Sequence, residues 1–90
     1  MKGVQAHYEG HVQGVGFRFT VRRIATGFEV AGSVRNLDDG RVQLDATGDA
    51  AEVDAFLQAI RDSELRGHIR REEIRERPPD PNARGFSISH

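Results

Sequence analysis

Between residues 10 and 18 the chain reads Gly10-His11-Val12-Gln13-Gly14-Val15-Gly16-Phe17-Arg18, three glycines within seven positions and then one arginine. Glycine reaches positive φ without steric cost and leaves its backbone N–H open to close approach by another group. A run of such N–H groups leading into a helix N-terminus forms a cradle for an anion. The guanidinium of Arg18 adds a planar, permanently charged fork that matches two phosphate oxygens. The loop from Val12 through Gln13, Gly14, Val15, Gly16 and Phe17 to Arg18 therefore reads as a pocket for a phosphoryl group. A nucleotide P-loop is excluded, because no Gly-Lys-Ser/Thr follows. The dinucleotide pattern is absent too, since Phe19 stands where its third glycine belongs. Phe17 and Phe19 suit core or pocket wall better than chemistry.

A second stretch carries chemistry of another kind. Gly32-Ser33-Val34-Arg35-Asn36-Leu37-Asp38-Asp39-Gly40-Arg41-Val42 is followed by Gly48. The neutral amide of Asn36 can hold a water by hydrogen bonds without repelling an anionic substrate. An isolated asparagine beside Asp-Gly is more often a turn residue. Arg35, its strand neighbour, faces the other way and is a secondary candidate.

Together the two stretches resemble the signatures of the acylphosphatase family. The first matches Gly-x-Val-Gln-Gly-Val-x-Phe-Arg, and both stand in the family's order and spacing over Gly10 to Gly48. One position departs: the family usually has an aromatic residue where this chain has Ser33. The resemblance implies an α/β sandwich and hydrolysis of acyl phosphates to a carboxylate and inorganic phosphate. It assigns phosphoryl binding to Arg18 and orientation of the attacking water to Asn36. A phosphoenzyme is not expected, because neither stretch offers a well-placed Cys, His or Asp nucleophile. Two alternatives stand beside this reading. One is a non-catalytic anion- or RNA-binding module. The other is an excised domain of a larger carbamoyl-transferring enzyme, acting on carbamoyl phosphate.

Composition narrows the choice. Ninety residues with 37% hydrophobic and 30% charged side chains suit one globular domain, residues 1–90. A formal net charge of −1 argues against a nucleic-acid-binding polycation. Cysteine is absent, so disulfides and thiolate metal sites are excluded. His7 and His11 fall on one face of an extended stretch but lack a carboxylate at ligand spacing, so no metal or other cofactor is expected. No apolar run is long enough to span a membrane. A cytoplasmic monomer acting on a small molecule is the expectation.

The elements that position these residues follow from periodicity. Val4, Ala6 and Tyr8 alternate as in a strand, expected at the centre of the sheet. Phe17, Val21, Ile24, Ala25 and Phe28 recur with helical period, and Gly27 suits the helix stop. Val30, Gly32 and Val34 alternate, as do Val42, Leu44 and Ala46, with Leu37 to Gly40 as the turn between. Asp49 and Glu52 suggest a capping box ahead of Val53, Phe56, Leu57 and Ile60. Ile69 and Ile74 are five apart, which predicts an edge strand or a bulge within His68 to Arg77. Pro78 to Asn82 must be loop, and Phe86 and Ile88 form a last short strand. The order β-α-β-β-α-β-β is an α+β, ferredoxin-like arrangement, with two helices on one face of a mainly antiparallel sheet.

Overall fold

The computed structural model describes residues 1–89. The chain runs β1 (Lys2–Gly10), α1 (Phe17–Ala25), β2 (Val30–Asn36), β3 (Val42–Gly48), α2 (Ala50–Arg61), β4 (Ile69–Arg77) and β5 (Phe86–Ile88). A short 3-10 turn, Glu64–His68, precedes β4. The five strands form one sheet in the order β4-β1-β3-β2-β5. β1 pairs antiparallel with β3 and with β4, and β2 pairs antiparallel with β3. β5 joins β2 in parallel, so the sheet is mixed. β1 is interior, but the middle place expected for it belongs to β3.

Alternation sorts the strand side chains. Val4, Ala6 and Tyr8 of β1, Val34 of β2 and Val42, Leu44 and Ala46 of β3 are all buried beneath the helices. Phe17, Val21 and Ala25 of α1 and Val53, Phe56, Leu57 and Ile60 of α2 close the core from above. The other face is polar and uncovered. There Gln5 Nε2 donates to Asp45 Oδ1 at 3.1 Å, and Gln43 Nε2 donates to Asp45 Oδ2 at 3.0 Å. One apolar and one polar face is the usual pattern of a sheet covered on one side.

Three local readings need correction. Helix α1 stops at Ala25, before the Phe28 expected on its stripe. Gly27 and Phe28 follow in a turn whose N–H groups reach back to Ile24 O and Ala25 O at 3.0 and 3.1 Å. Phe28 still joins the core, its ring 6.0 Å from that of Phe56. Asp49 does occupy the N-cap position of α2, but its side chain makes no capping bond. Glu52 turns away from the helix and accepts the Glu29 N–H at 2.8 Å, tying α2 to the entry of β2. His7 and His11 do not share a strand face, because β1 ends at Gly10 and the His11 ring lies against His68, centroids 5.8 Å apart.

The five-residue spacing of Ile69 and Ile74 has a clear cause. Glu9 pairs with Arg71 and Gly10 with Ile69, so Arg70 is an extra residue in the ladder. One inserted residue flips the alternation, and Ile69 returns to the core side. β4 is also an edge strand, and its sequence, IRREEIRER, carries charges that discourage pairing with another chain. Arg61 of α2 holds it down, Nε donating to Glu72 Oε1 at 2.7 Å. The β2–β3 turn is fixed by Leu37 N–H to Arg41 O at 2.8 Å. The Arg41 backbone N–H and then its guanidinium bind Asp39 and hold that carboxyl below its ordinary pKa.

Candidate active site

The loop between β1 and α1 is anchored at several points. His11 N–H donates to His68 O at 3.0 Å, closing the strand pairing. Val12 is buried in the core, and Val15 packs against it half-buried. Gly14 and Gly16 have φ of 78° and 77°. A Cβ on either would meet no atom within 4 Å, so the backbone angle alone demands glycine there. Gly16 O accepts the Thr20 N–H at 3.0 Å, which starts α1. The buried Phe17 ring, 5.3 Å from that of Tyr8, fixes the helix entry. Among the described residues, no backbone N–H from Val12 to Phe17 donates a hydrogen bond. Six consecutive donors are thus left for solvent or a ligand, at the positive end of a helix.

The Gln13 side chain has a role that spacing could not disclose. Its Nε2 donates to Leu37 O at 2.8 Å and to Arg41 O at 3.0 Å. Gln13 therefore struts the loop against the β2–β3 hairpin, the element that carries Asn36. A Gln13→Leu substitution keeps the bulk and removes both bonds; Leu37 O and Arg41 O keep their turn donors, the Gly40 and Leu37 N–H groups, so the cost is about 0.5–1.5 kcal/mol. Urea melts should read that loss, and kcat/KM should fall about tenfold as the loop drifts from the hairpin. Unchanged stability and activity would show that the strut is unimportant.

Arg18 follows Phe17 on the exposed flank of α1 and is half-buried. Its Nη1 donates to Ser89 O at 3.4 Å. Ser89 is itself held by β2, its N–H donating to Val34 O at 2.9 Å. The C-terminal segment thus helps to orient the arginine, a contact across 71 positions of sequence. Asn36 ends β2, opposite Val42 of β3, and is exposed. Its side-chain amide makes no hydrogen bond among the described residues.

These groups meet in one cavity of about 340 Å³. Val12, Gly14, Gly16, Phe17, Arg18 and Asn36 all line it. Of the expected site residues, Gln13 and Val15 are not in its lining; one struts the loop and the other packs inward. Arg35 is also outside, on the uncovered face opposite Gln43. Sequence reasoning passed over Ile88 and Arg22, and took Phe19 for a wall. The spacing of α1 was a usable signal for Arg22, one turn beyond Arg18. Among the described residues, no carboxylate lines the cavity and two arginines do. The site suits an anion.

A larger cavity, about 440 Å³, opens on the uncovered sheet face. Asp45 and Asp80 line it beside Arg77 and Arg84, and none of the loop residues or Asn36 does. Its carboxylates disfavour an anionic substrate. Ser33, the departure from the family pattern, faces this cavity and not the loop, so it removes nothing from the candidate site. Among the described residues no three His, Asp or Glu are grouped to hold a metal ion, and no helix is long and apolar enough to cross a membrane.

The acylphosphatase family model matches residues 4–88. An acylphosphatase of Geobacillus thermodenitrificans is 37% identical over 90 residues, covering 100% of this chain and 96% of that one. One of Archaeoglobus fulgidus is 33% identical over 90 residues and covers both chains completely. The crystal structure of acylphosphatase from Bacillus subtilis superposes with a TM-score of 0.90 at 31% identity, covering 100% of both chains. The T. kodakarensis HypF structure matches with a TM-score of 0.85 at 33% identity, covering 100% of this chain but 12% of that one.

Proposed function

Because the chain belongs to the acylphosphatase family and hydrolyses acyl phosphates, we propose that the loop Val12–Phe17, Arg18 and Asn36 carry that reaction. The loop N–H groups and the Arg18 fork bind the phosphoryl oxygens. Asn36 holds a water behind phosphorus, in line with the acyl oxygen. The water oxygen bonds to phosphorus as the bond from phosphorus to the acyl oxygen breaks. The carboxylate leaves with the electron pair, and a phosphoryl oxygen takes the water's proton. A carboxylate is a good leaving group, so the enzyme supplies position and electrostatic stabilisation more than acid catalysis. The observation that carries this reading is the run of six backbone donors beside Arg18, four of them on residues that line a cavity with no carboxylate among the described residues.

The proposal takes residues 1–90 as one domain, working as a cytoplasmic monomer without metal or other cofactor. The charged edge strand β4 and the three-residue β5 at the other edge support the monomer. The test is hydrolysis of benzoyl phosphate by the purified protein in excess chelator. Rapid release of benzoate and inorganic phosphate is expected. Turnover only after a divalent cation is added back would overturn the metal-free mechanism. The excised-domain alternative keeps carbamoyl phosphate as the second candidate substrate, and the match to a segment of the much longer HypF shows that such a domain occurs within a larger chain. A kcat/KM for carbamoyl phosphate well above that for benzoyl phosphate would select it.

A further inference from the structure

Beyond the phosphoryl site, the same cavity continues along α1 to two residues that the reaction does not use. Phe19 is 63% exposed, a large apolar ring left in water on the wall of the cavity. Arg22 lines the cavity three positions further on, one helical turn from Phe19 and from Arg18. Its neighbour Arg23 is tied to Glu64 at 2.7 Å. Arg22 has no hydrogen bond or ion pair among the described residues. One exposed apolar residue is ordinary on a protein surface. An apolar wall ending in an unpaired guanidinium, adjoining a phosphoryl cradle, is a surface that a substrate can complete.

We infer that Phe19 and Arg22 form the subsite for the acyl group and select acyl phosphates whose acyl chain ends in a second anion. The carbons next to the reacting carbonyl lie along the Phe19 ring and remove its apolar surface from water. The distal carboxylate or phosphate pairs with Arg22, while the reacting phosphoryl group occupies the loop. This assignment rests on the catalytic reading above, since the loop fixes the end from which the acyl chain extends.

Succinyl phosphate and butyryl phosphate test it, because both acyl groups have four carbons and only one ends in a carboxylate. The parent protein should favour succinyl phosphate in kcat/KM. Arg22→Gln should lower the succinyl-to-butyryl ratio about threefold, the scale of one exposed ion pair, and Arg22→Glu should lower it further. Phe19→Ala should lower kcat/KM for both substrates about threefold relative to acetyl phosphate, whose acyl group is too short to cover the ring. Both side chains are exposed, so these variants should fold, and thermal melts check that they do. Ratios unchanged by every substitution would overturn the subsite while leaving the catalytic reading in place. A folded parent that turns over none of the three substrates would instead overturn the catalytic reading.

Discussion

Arg18→Ala should lower kcat/KM for benzoyl phosphate by about 10²–10³-fold, the scale of a lost transition-state donor worth about 2.7–4 kcal/mol. The loss should appear in both kcat and KM. The guanidinium binds the ground-state phosphoryl group, and binds it better as charge shifts onto the equatorial oxygens. The stability cost should be small, because the Arg18 side chain is half-buried on the flank of α1 and outside the hydrophobic core. Arg18→Lys should recover only part of the activity, since lysine supplies the charge without the planar fork. Steady-state kinetics on the three proteins, with melts as the folding control, read the outcome. Full activity in Arg18→Lys would reduce the role of Arg18 to point charge alone. Full activity in Arg18→Ala would remove it from the mechanism.

Asn36→Ala should act differently, lowering kcat about 10²-fold with KM near that of the parent. A water held behind phosphorus contributes little to ground-state binding and much to the approach of the nucleophile. The substitution should not unfold the protein. Asn36 is exposed at the end of β2, and its backbone pairing with Val42 does not involve the side chain. A kcat within about threefold of the parent would mean that another group orients the water. The Gln13 strut makes a linked expectation. It fixes the distance between the loop and the hairpin, so Gln13→Leu and Asn36→Ala together should cost less than the sum of their separate effects in free energy.

Much of this architecture was legible in the residues because it rests on local rules. Gly14 and Gly16 mark a loop since only glycine takes their backbone angles cheaply. The β4 irregularity could be read from the interval between Ile69 and Ile74, because a period-two pattern has one simple way to absorb an odd step. The failures lie where a distant partner competes with a local one. Glu52 was free to cap its own helix, but the unpaired N–H of Glu29 claimed it. Gln13 resembled one more loop donor, and its true partners are carbonyls 24 and 28 positions away. The support of Arg18 by Ser89 depends on β5 lying parallel beside β2, a pairing that no short-range pattern specifies. The central place of β3 is likewise a property of the whole sheet.

In the proposed reaction the phosphoryl group sits in the loop between β1 and α1. Titration of the ¹⁵N-labelled protein with inorganic phosphate, followed by amide chemical shifts, tests it most directly. Saturable shifts are expected at the amides from Val12 to Phe17 and at Arg18 and Asn36, all weakened in Arg18→Ala. Shifts confined to the uncovered sheet face, around Asp45, Thr47 and Arg77, would contradict it and move the anion site to the larger cavity.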